Sequence, residues 1–294
     1  MVKSISIIIA SKNREDYIRN LLTDLNNQSI QAQEVLIIDQ SERPYIFDEY
    51  DNIHHIIDNH TGPCHARNLG LERSSGEIIV FLDDDIRIET DFLETLCSPI
   101  NNGVCLAVVG AMCDPDGQYS SSTNDTWNKE YANWLLALTA NPCFPGQSTT
   151  LSFTTCCSAI HRNVYHQIGG FDPFFDPNGA GEDREYGLRI LKAGHNILYQ
   201  GKACVRHLGA PSGGRRGTGM GFKYQNILEA NSAYIIAKHF GWRVFEDFCG
   251  SWLRSILRRA RGLNPMLWGR SFLWCLETRK YISDIRKIKL EKHW

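Results

Sequence analysis

Short apolar runs alternate with stretches of helical periodicity along the first part of the chain. The apolar runs are rich in isoleucine and valine and are bounded by polar residues, which predicts buried strands. Five strands are predicted in this way: SISIIIA (4–10), EVLIIDQ (34–40), NIHHIID (52–58), EIIVFLD (77–83) and VCLAVVGAM (104–112). Three helices are predicted between them: REDYIRNLLTDLNNQ (14–28), GPCHARNLGLERSSG (62–76) and TDFLETLCSPI (90–100), the last with Thr90 as its expected N-cap. This alternation predicts an α/β fold, with a Rossmann-like, mostly parallel sheet that has helices on both faces.

The pattern becomes irregular after the fifth strand. Pro, Gly, Ser and Asn interrupt residues 113–150, where we predict one helix, NKEYANWLLALT (128–139), in a long excursion that frames a binding site. Regular structure is expected to return over residues 150–172 and 181–209. The glycine-rich, basic segment GAPSGGRRGTGMG (209–221) permits large backbone excursions, so we expect it to become ordered only around a bound ligand.

A helical tail is predicted after this segment, which divides the chain into an N-terminal α/β domain, 1–221, and a C-terminal helical region, 222–294. Residues 251–294 alternate Arg and Lys with Trp, Leu and Ile at roughly helical spacing. Such a basic amphipathic helix is typical of contact with an anionic membrane surface. Packing of its apolar face on the N-terminal domain or on a second subunit is the alternative.

Composition narrows the class of protein. The 294 residues, 43% of them hydrophobic, are enough for a large core, and a net charge of -2 gives no reason to expect a nucleic-acid partner. The ten cysteines form no C-x-x-C pair, which favours reduced thiols. The N-terminus does not resemble a signal peptide, and no uncharged stretch approaches the roughly 20 apolar residues of a membrane-spanning helix. We therefore expect a cytoplasmic protein, with the inner face of the membrane as a further location.

An acidic cluster follows the fourth predicted strand directly. Asp83, Asp84 and Asp85 are consecutive, and the D-x-D spacing places Asp83 and Asp85 on the same side of an extended segment. Carboxylates at a strand end suit a hard divalent cation, which binds one or two of them together with waters and substrate phosphates. A solvated acidic turn before the next helix is the alternative.

A second acidic pair, Glu182 and Asp183, opens the helix predicted from GEDREYGLRILKAG. One of these carboxylates could face the cleft as a general base for an acceptor hydroxyl. Complementing the helix dipole is the structural alternative. Arg67, on the helix beside the acidic strand, suits a phosphate or a base edge, or else forms a surface salt bridge.

Five motifs in sequence order resemble family 2 glycosyltransferases with the GT-A fold. The resemblance covers roughly residues 4–208. Its motifs are SISIIIASKNRE, EVLIIDQSE, GPCHARNLGLERSSGEIIVFLDDD, IGGFDPFF and GEDREYGLRILKAGHNILY.

The resemblance implies a nucleotide-sugar site. Asp39 would contact the nucleotide base, Ala10 and Ser11 would line the nucleotide pocket, and Arg67 would lie near the base and phosphates. In the D-x-D cluster, Asp83 would face the ribose and the metal, and Asp84 is grouped with the donor-binding residues.

The resemblance also implies a metal and a base. Asp85, with Asp83, would bind Mn²⁺ or Mg²⁺, and His207 matches a late histidine that approaches the metal or diphosphate, unless it is an ordinary loop histidine. Asp183 would be the catalytic base, and Glu182 its neighbour toward the acceptor.

The expected function is therefore a metal-dependent, inverting transfer of a sugar, hexosyltransferase-like, from a nucleoside diphosphate sugar to a hydroxyl of a saccharide or lipid-linked acceptor. The enzymatic alternative is a sugar nucleotidyltransferase, which would need a glycine-rich phosphate loop after the first strand, where this chain has ASKNRED. A catalytically silent carbohydrate- or partner-binding protein on the same fold is the alternative from a different class.

Overall fold

The computed structural model of the chain describes residues 3–45, 47, 51–119, 143–214 and 222–240. The chain divides into two compact units, Met1–Thr218 and Gly219–Trp294. Several predictions lie outside the described residues, namely the helix 128–139, the second half of the glycine-rich segment, the domain boundary at residue 221 and the basic tail 251–294.

The first unit contains nine strands and five α-helices within its described residues. The strands are β1 (Ile5–Ser11), β2 (Glu34–Asp39), β3 (Ile53–Ile57), β4 (Ile78–Leu82), β5 (Ile86–Ile88), β6 (Ala107–Cys113), β7 (Gln147–Thr150), β8 (Cys157–His161) and β9 (Ile197–His207). The helices are α1 (Glu15–Asn26), α2 (Pro63–Arg73), α3 (Phe92–Asn101), α4 (Arg162–Ile168) and α5 (Glu182–Lys192), with a short 3-10 helix at Pro173–Phe175.

The strands form one sheet in the order β3-β2-β1-β4-β8-β6-β9-β5, with β7 paired to β9. Strands β1 to β4 pair in parallel, as do β6 and β9. Strand β8 runs antiparallel between β4 and β6, and β5 and β7 run antiparallel to β9. The predicted α/β fold with a mostly parallel sheet is thus confirmed.

The two faces of the sheet carry helices because side chains alternate along each strand. In β1, Ile7 and Ile9 join the core cluster that contains the buried face of α1. Ile8 points the other way, against α2, where a Cβ on Gly70 would lie 2.5 Å from Ile8 Cγ2. The central strands are therefore buried on both sides, which explains their continuous apolar sequence.

Strand β9 pairs with two different strands on its outer side. Its first four residues pair with β7, and its last three pair with β5, so that Ile86 is opposite His207. The register between β6 and β9 shifts after Gly110, where a Cβ would lie 2.3 Å from the carbonyl oxygen of Ala203. The β5–β9 pairing places the residue after the acidic cluster opposite His207, far along the sequence.

Two expectations are corrected. Helix α3 begins after Asp91, not Thr90, and Thr90 instead accepts a backbone hydrogen bond from Ser29. Cys113 and Cys204 form a disulfide across a sequence separation of 91, so the expectation of reduced thiols is wrong for this pair. It holds for the other six described cysteines.

The second unit is described through one helix, α6 (Phe222–Phe240). Of the helices in the described part of the chain, none combines the length and apolar character that crossing a bilayer requires.

Candidate functional site

The predicted site residues gather at the carboxyl ends of three neighbouring parallel strands. Strands β1 and β2 end at Ser11 and Asp39, and β4 is followed at once by the acidic cluster 83–85. Their order in the sheet, β2-β1-β4, makes these ends adjacent. In open α/β sheets, ligands bind at this edge.

Asp84 is buried under the tip of β1. Its carboxylate accepts a hydrogen bond from Ser11 Oγ at 2.7 Å and one from Arg14 Nη1 at 2.6 Å. Burial raises the pKa of Asp84 to about 6, although Arg14 and Ser11 act in the opposite direction. Asp84 thus joins β4 to β1 and the loop after it.

Arg14 is a site residue that the sequence interpretation missed. Besides Asp84, it lies 3.3 Å from Asp85 Oδ2, and its guanidinium donates to the carbonyl oxygens of Ser212 and Gly213 at 3.1 and 3.4 Å. Its side chain is only 9% exposed. The available signal was its position, a basic residue in the loop between the first strand and the first helix. Arg14 fixes the described start of the glycine-rich segment over the acidic cluster.

Asp85 is held from several directions. Its Oδ2 accepts a hydrogen bond from the backbone nitrogen of Ala210 at 2.9 Å, and its carbonyl oxygen accepts one from Leu208 at 2.9 Å. Its Oδ1 lies 3.5 Å from His207 Nε2. The structure therefore brings Asp85 and His207 together, as the resemblance implied.

Asp83, Cys156 and His207 form a cluster in which one potential ligand atom of each lies within 4.8 Å of the others. Cys156 was missed because its place beside the acidic cluster depends on the β4–β8 pairing, in which its neighbour Cys157 is opposite Leu82. The sequence alone does not show that these two strands pair. A hydrogen bond with Cys157 and burial raise the pKa of the Cys156 thiol. The thiol is therefore neutral, which leaves one oxygen and one nitrogen as the ligands suited to a hard cation.

Arg67 connects the two acidic clusters. Its Nη1 donates to Glu182 Oε1 at 3.0 Å, its Nη2 lies 3.4 Å from Asp83 Oδ1, and its guanidinium carbon is 5.6 Å from the centre of the Phe171 ring. The Arg67 and Glu182 side chains are 7% and 3% exposed. Arg67 thus forms a buried ion pair, and the alternative of a surface salt bridge is wrong.

Asp183 is the second residue of α5, directly after Glu182, and is less buried than Glu182. Its Oδ1 accepts a hydrogen bond from the backbone nitrogen of Arg184 at 2.8 Å. The residue before the helix, Gly181, has φ 92°, a left-handed conformation that favours glycine. This turn directs the first helical residues toward the site edge, where Glu182 meets Arg67.

Asp39 is fully buried at the end of β2. Its carboxylate accepts backbone hydrogen bonds from Ser41 at 2.9 Å and Tyr45 at 3.3 Å, and lies 3.1 Å from His55 Nε2. Ala10 is half-buried at the end of β1, opposite Ile38. Asp39 therefore organises the loop after β2 as well as lying at the predicted edge.

Comparison with known proteins gives a family match. The family described as "Glycosyl transferase family 2" matches residues 6–169. The chain is 25% identical over 219 residues to the pre-mycofactocin glycosyltransferase of Mycobacterium tuberculosis, covering 70% of this chain and 43% of that protein. It is 26% identical over 227 residues to glycosyltransferase AglE of Haloferax volcanii, covering 71% of this chain and 68% of that protein. The chain thus spans less than half the length of the mycobacterial relative.

Solved structures share the fold. The structure of S. aureus TarS 1-349 in complex with UDP-GlcNAc has a TM-score of 0.57 at 16% identity, covering 80% of this chain and 66% of that one. The structure of GalNAc-T7 with UDP, GalNAc and Mn²⁺ has a TM-score of 0.56 at 15% identity, covering 81% of this chain and 51% of that one. The expected GT-A fold is confirmed by these neighbours.

Proposed function

Because this chain belongs to glycosyl transferase family 2, we propose that it transfers a sugar from a nucleoside diphosphate sugar to a hydroxyl group of an acceptor. The observation that carries the proposal is the meeting of Asp83, Asp85 and His207 at the carboxyl edge of the matched sheet. The ligands named for two structural neighbours, UDP-GlcNAc and UDP with GalNAc, support a nucleotide-sugar donor.

The residues at this edge fit a divalent cation, Mn²⁺ or Mg²⁺. Asp83 and Asp85 supply carboxylate oxygens and His207 an imidazole nitrogen, while the neutral thiol of Cys156 is a poor ligand for such ions. The side chain of Asp83 is 29% exposed, so a cation held there would be accessible to a substrate phosphate. When bound, the cation would neutralise charge that develops on the departing nucleoside diphosphate.

The nucleoside would lie beside the ends of β1 and β2. Asp39 is proposed to contact the base, with Ala10 and Ser11 lining the pocket and Asp83 facing the ribose. Asp84 is held by Ser11 and Arg14, so its contribution to donor binding is to keep the pocket wall in place. Arg67 is paired with Glu182, so it too would keep the pocket wall in place, near the phosphates.

Asp183 is proposed as the general base. Glu182 is engaged by Arg67, whereas Asp183 is the more accessible carboxylate of the pair. Asp183 would take the proton of the acceptor hydroxyl as the hydroxyl oxygen bonds to the anomeric carbon. The bond from that carbon to the diphosphate oxygen breaks in the same displacement, and the configuration inverts. Glu182 would lie beside the acceptor.

The acceptor is proposed to be a saccharide, free or lipid-linked, in polysaccharide biosynthesis. The basic, tryptophan-containing tail 251–294 supports a peripheral contact with an anionic membrane. The location that we propose is accordingly the cytoplasm, at the inner face of a membrane.

Titration of the full chain with nucleotide sugars, in Mn²⁺ and in EDTA, tests the proposal. We expect one class of nucleotide sugar to bind only with the metal, and an acceptor to release nucleoside diphosphate. Release of nucleoside triphosphate on adding pyrophosphate would instead show a nucleotidyltransferase. Binding that is unaffected by EDTA would contradict the metal assignment.

A further inference from the structure

A second group of potential metal ligands lies at the same edge of the sheet. Asp58 directly follows β3, His60 is in the loop after it, and His65 is in α2. One ligand atom from each of the three lies within 4.8 Å of the other two. None of these residues takes part in the proposed transfer.

Both imidazoles approach the same carboxylate oxygen. His60 Nδ1 lies 2.9 Å from Asp58 Oδ1, and His65 Nε2 lies 3.6 Å from it. The second distance is too long for a hydrogen bond. Ligands of a tetrahedral zinc ion, each about 2.0–2.1 Å from the metal, stand roughly 3.3–3.4 Å apart. The two observed distances lie on either side of that separation.

The carboxylate is already fixed by its surroundings. Gln40 Nε2 donates to Asp58 Oδ2 at 2.8 Å, which directs Oδ1 toward the imidazoles. The same Gln40 side chain bonds the backbone nitrogen and oxygen of Gly62 at 3.0 and 3.1 Å. Outer hydrogen bonds of this type hold metal ligands in the orientation that binding needs.

The two imidazoles are also held close to each other. Their ring centres are 4.0 Å apart with an interplanar angle of 31°. The Asp58 side chain is 4% exposed, whereas those of His60 and His65 are 70% and 40% exposed. The group is therefore anchored in the protein but open to solvent on the imidazole side. A metal there would reach water or a small ligand in its fourth position.

We propose that Asp58, His60 and His65 form a binding site for a transition metal ion such as Zn²⁺, separate from the cation site of the transfer reaction. Two imidazoles and one carboxylate are a donor set that zinc prefers. The ion would join the end of β3 to the first turn of α2. Since α2 also carries Arg67, the ion would stabilise the helix that connects the two acidic clusters.

Isothermal titration of the full chain with Zn²⁺ tests this proposal. His60→Gln and His65→Gln should each weaken one equivalent of Zn²⁺ binding at least tenfold. His54→Gln is the matched control, because His54 is a 57% exposed histidine on β3 outside the cluster. Asp83→Asn should not change this equivalent, since it removes a ligand of the other cluster.

Thermal unfolding provides a second measurement. Zn²⁺ should raise the Tm of the parent chain and of His54→Gln by more than it raises the Tm of His60→Gln and His65→Gln, which keep only the other cluster. Without metal, the parent chain and the three histidine variants should unfold at similar temperatures. This result would show that the substitutions do not disturb the fold. Zinc affinity that is unaffected by His60→Gln and His65→Gln, or a parent chain that does not bind Zn²⁺, would overturn the proposal.

Discussion

Arg67 donates a hydrogen bond to Glu182 at 3.0 Å, across 115 residues of sequence and with both side chains nearly inaccessible to solvent. The same guanidinium lies 3.4 Å from Asp83. Two acidic segments that are far apart in the chain therefore share one cation at the edge of the sheet. Bringing several carboxylates together without compensation would raise their free energy, so Arg67 stabilises the arrangement as well as joining its two halves.

Substituting Arg67 should be strongly destabilising. Arg67→Met leaves Glu182 buried without this partner, and breaking a buried pair costs about 3–5 kcal/mol of unfolding free energy. Glu182→Gln in the same chain removes the uncompensated charge, so the double variant should be more stable than the sum of the single effects. Urea unfolding of the four proteins gives the coupling energy. Additive effects would show that the pair contributes nothing beyond its separate side chains.

Glu34 should contribute to stability in a pH-dependent manner. Burial tends to raise the pKa of Glu34, but hydrogen bonds from Ser6 and from the backbone and hydroxyl of Ser75 outweigh it, so the pKa is lowered. A lowered folded-state pKa contributes stability above the ordinary glutamate pKa of about 4.3, and this contribution is lost as the pH falls through the folded value. Glu34→Gln should therefore cost about 1–2 kcal/mol near pH 7 and less in acid.

Urea unfolding between acid and neutral pH measures this difference. Glu72→Gln is the matched control, since Glu72 is an exposed glutamate on α2. Its unfolding free energy should stay close to that of the parent throughout. A Glu34→Gln deficit that does not shrink in acid would mean that the carboxylate charge is not what stabilises this region.

Much of the fold follows from local sequence pattern. Strands β1, β2 and β4 are buried on both faces, so their apolar runs are continuous and their positions can be predicted. Their order in the sheet then places Ser11, Asp39 and the acidic cluster at one edge. Strand β5 has only three residues, and the sequence pattern does not predict it. Its pairing with β9 depends on tertiary contact, which no local pattern contains.

The missing members of the site share this dependence on long-range contact. Arg14 and Cys156 reach the acidic cluster only because β1 and β8 flank β4. Ala210, whose backbone nitrogen donates to Asp85, reaches it because the end of β9 pairs with β5. A backbone donor has no side-chain signature, so sequence interpretation cannot select it. The disulfide between Cys113 and Cys204 likewise follows from the parallel pairing of β6 and β9, since Ala111 is opposite Cys204.

Asp85→Ala should abolish metal-dependent donor binding. Asp85 faces His207 at 3.5 Å, and loss of a carboxylate ligand should weaken Mn²⁺-dependent nucleotide-sugar affinity by at least about tenfold. Isothermal titration with and without Mn²⁺ measures this affinity. Because Asp85 also accepts a hydrogen bond from Ala210, Asp85→Asn is the second variant, which keeps an acceptor oxygen and removes the charge.

Asp91→Ala is the control for this experiment, since Asp91 is an exposed aspartate six residues further along the chain that makes no side-chain cap bond to α3. Its donor affinity should equal that of the parent. Undiminished affinity in folded Asp85→Ala and Asp85→Asn would remove Asp85 from the metal site.

The substitution Asp183→Asn is the most direct test of the proposed mechanism. If Asp183 only complements the dipole of α5, the amide should cost at most about 1 kcal/mol of stability and little activity. The amide oxygen can still accept the hydrogen bond from the Arg184 backbone, so the start of the helix should be preserved. If Asp183 is the base, the amide cannot take the proton, and turnover should fall about 10²–10⁴-fold. Donor affinity should change little, because the base acts on the acceptor hydroxyl and the diphosphate is bound through other residues.

Turnover and donor affinity are measured on the same folded variant of Asp183. Asp116→Asn is the control, because Asp116 is an exposed aspartate. Near-normal turnover of Asp183→Asn would assign Asp183 to helix stabilisation, and Glu182, engaged by Arg67 in this structure, would become the next carboxylate to substitute.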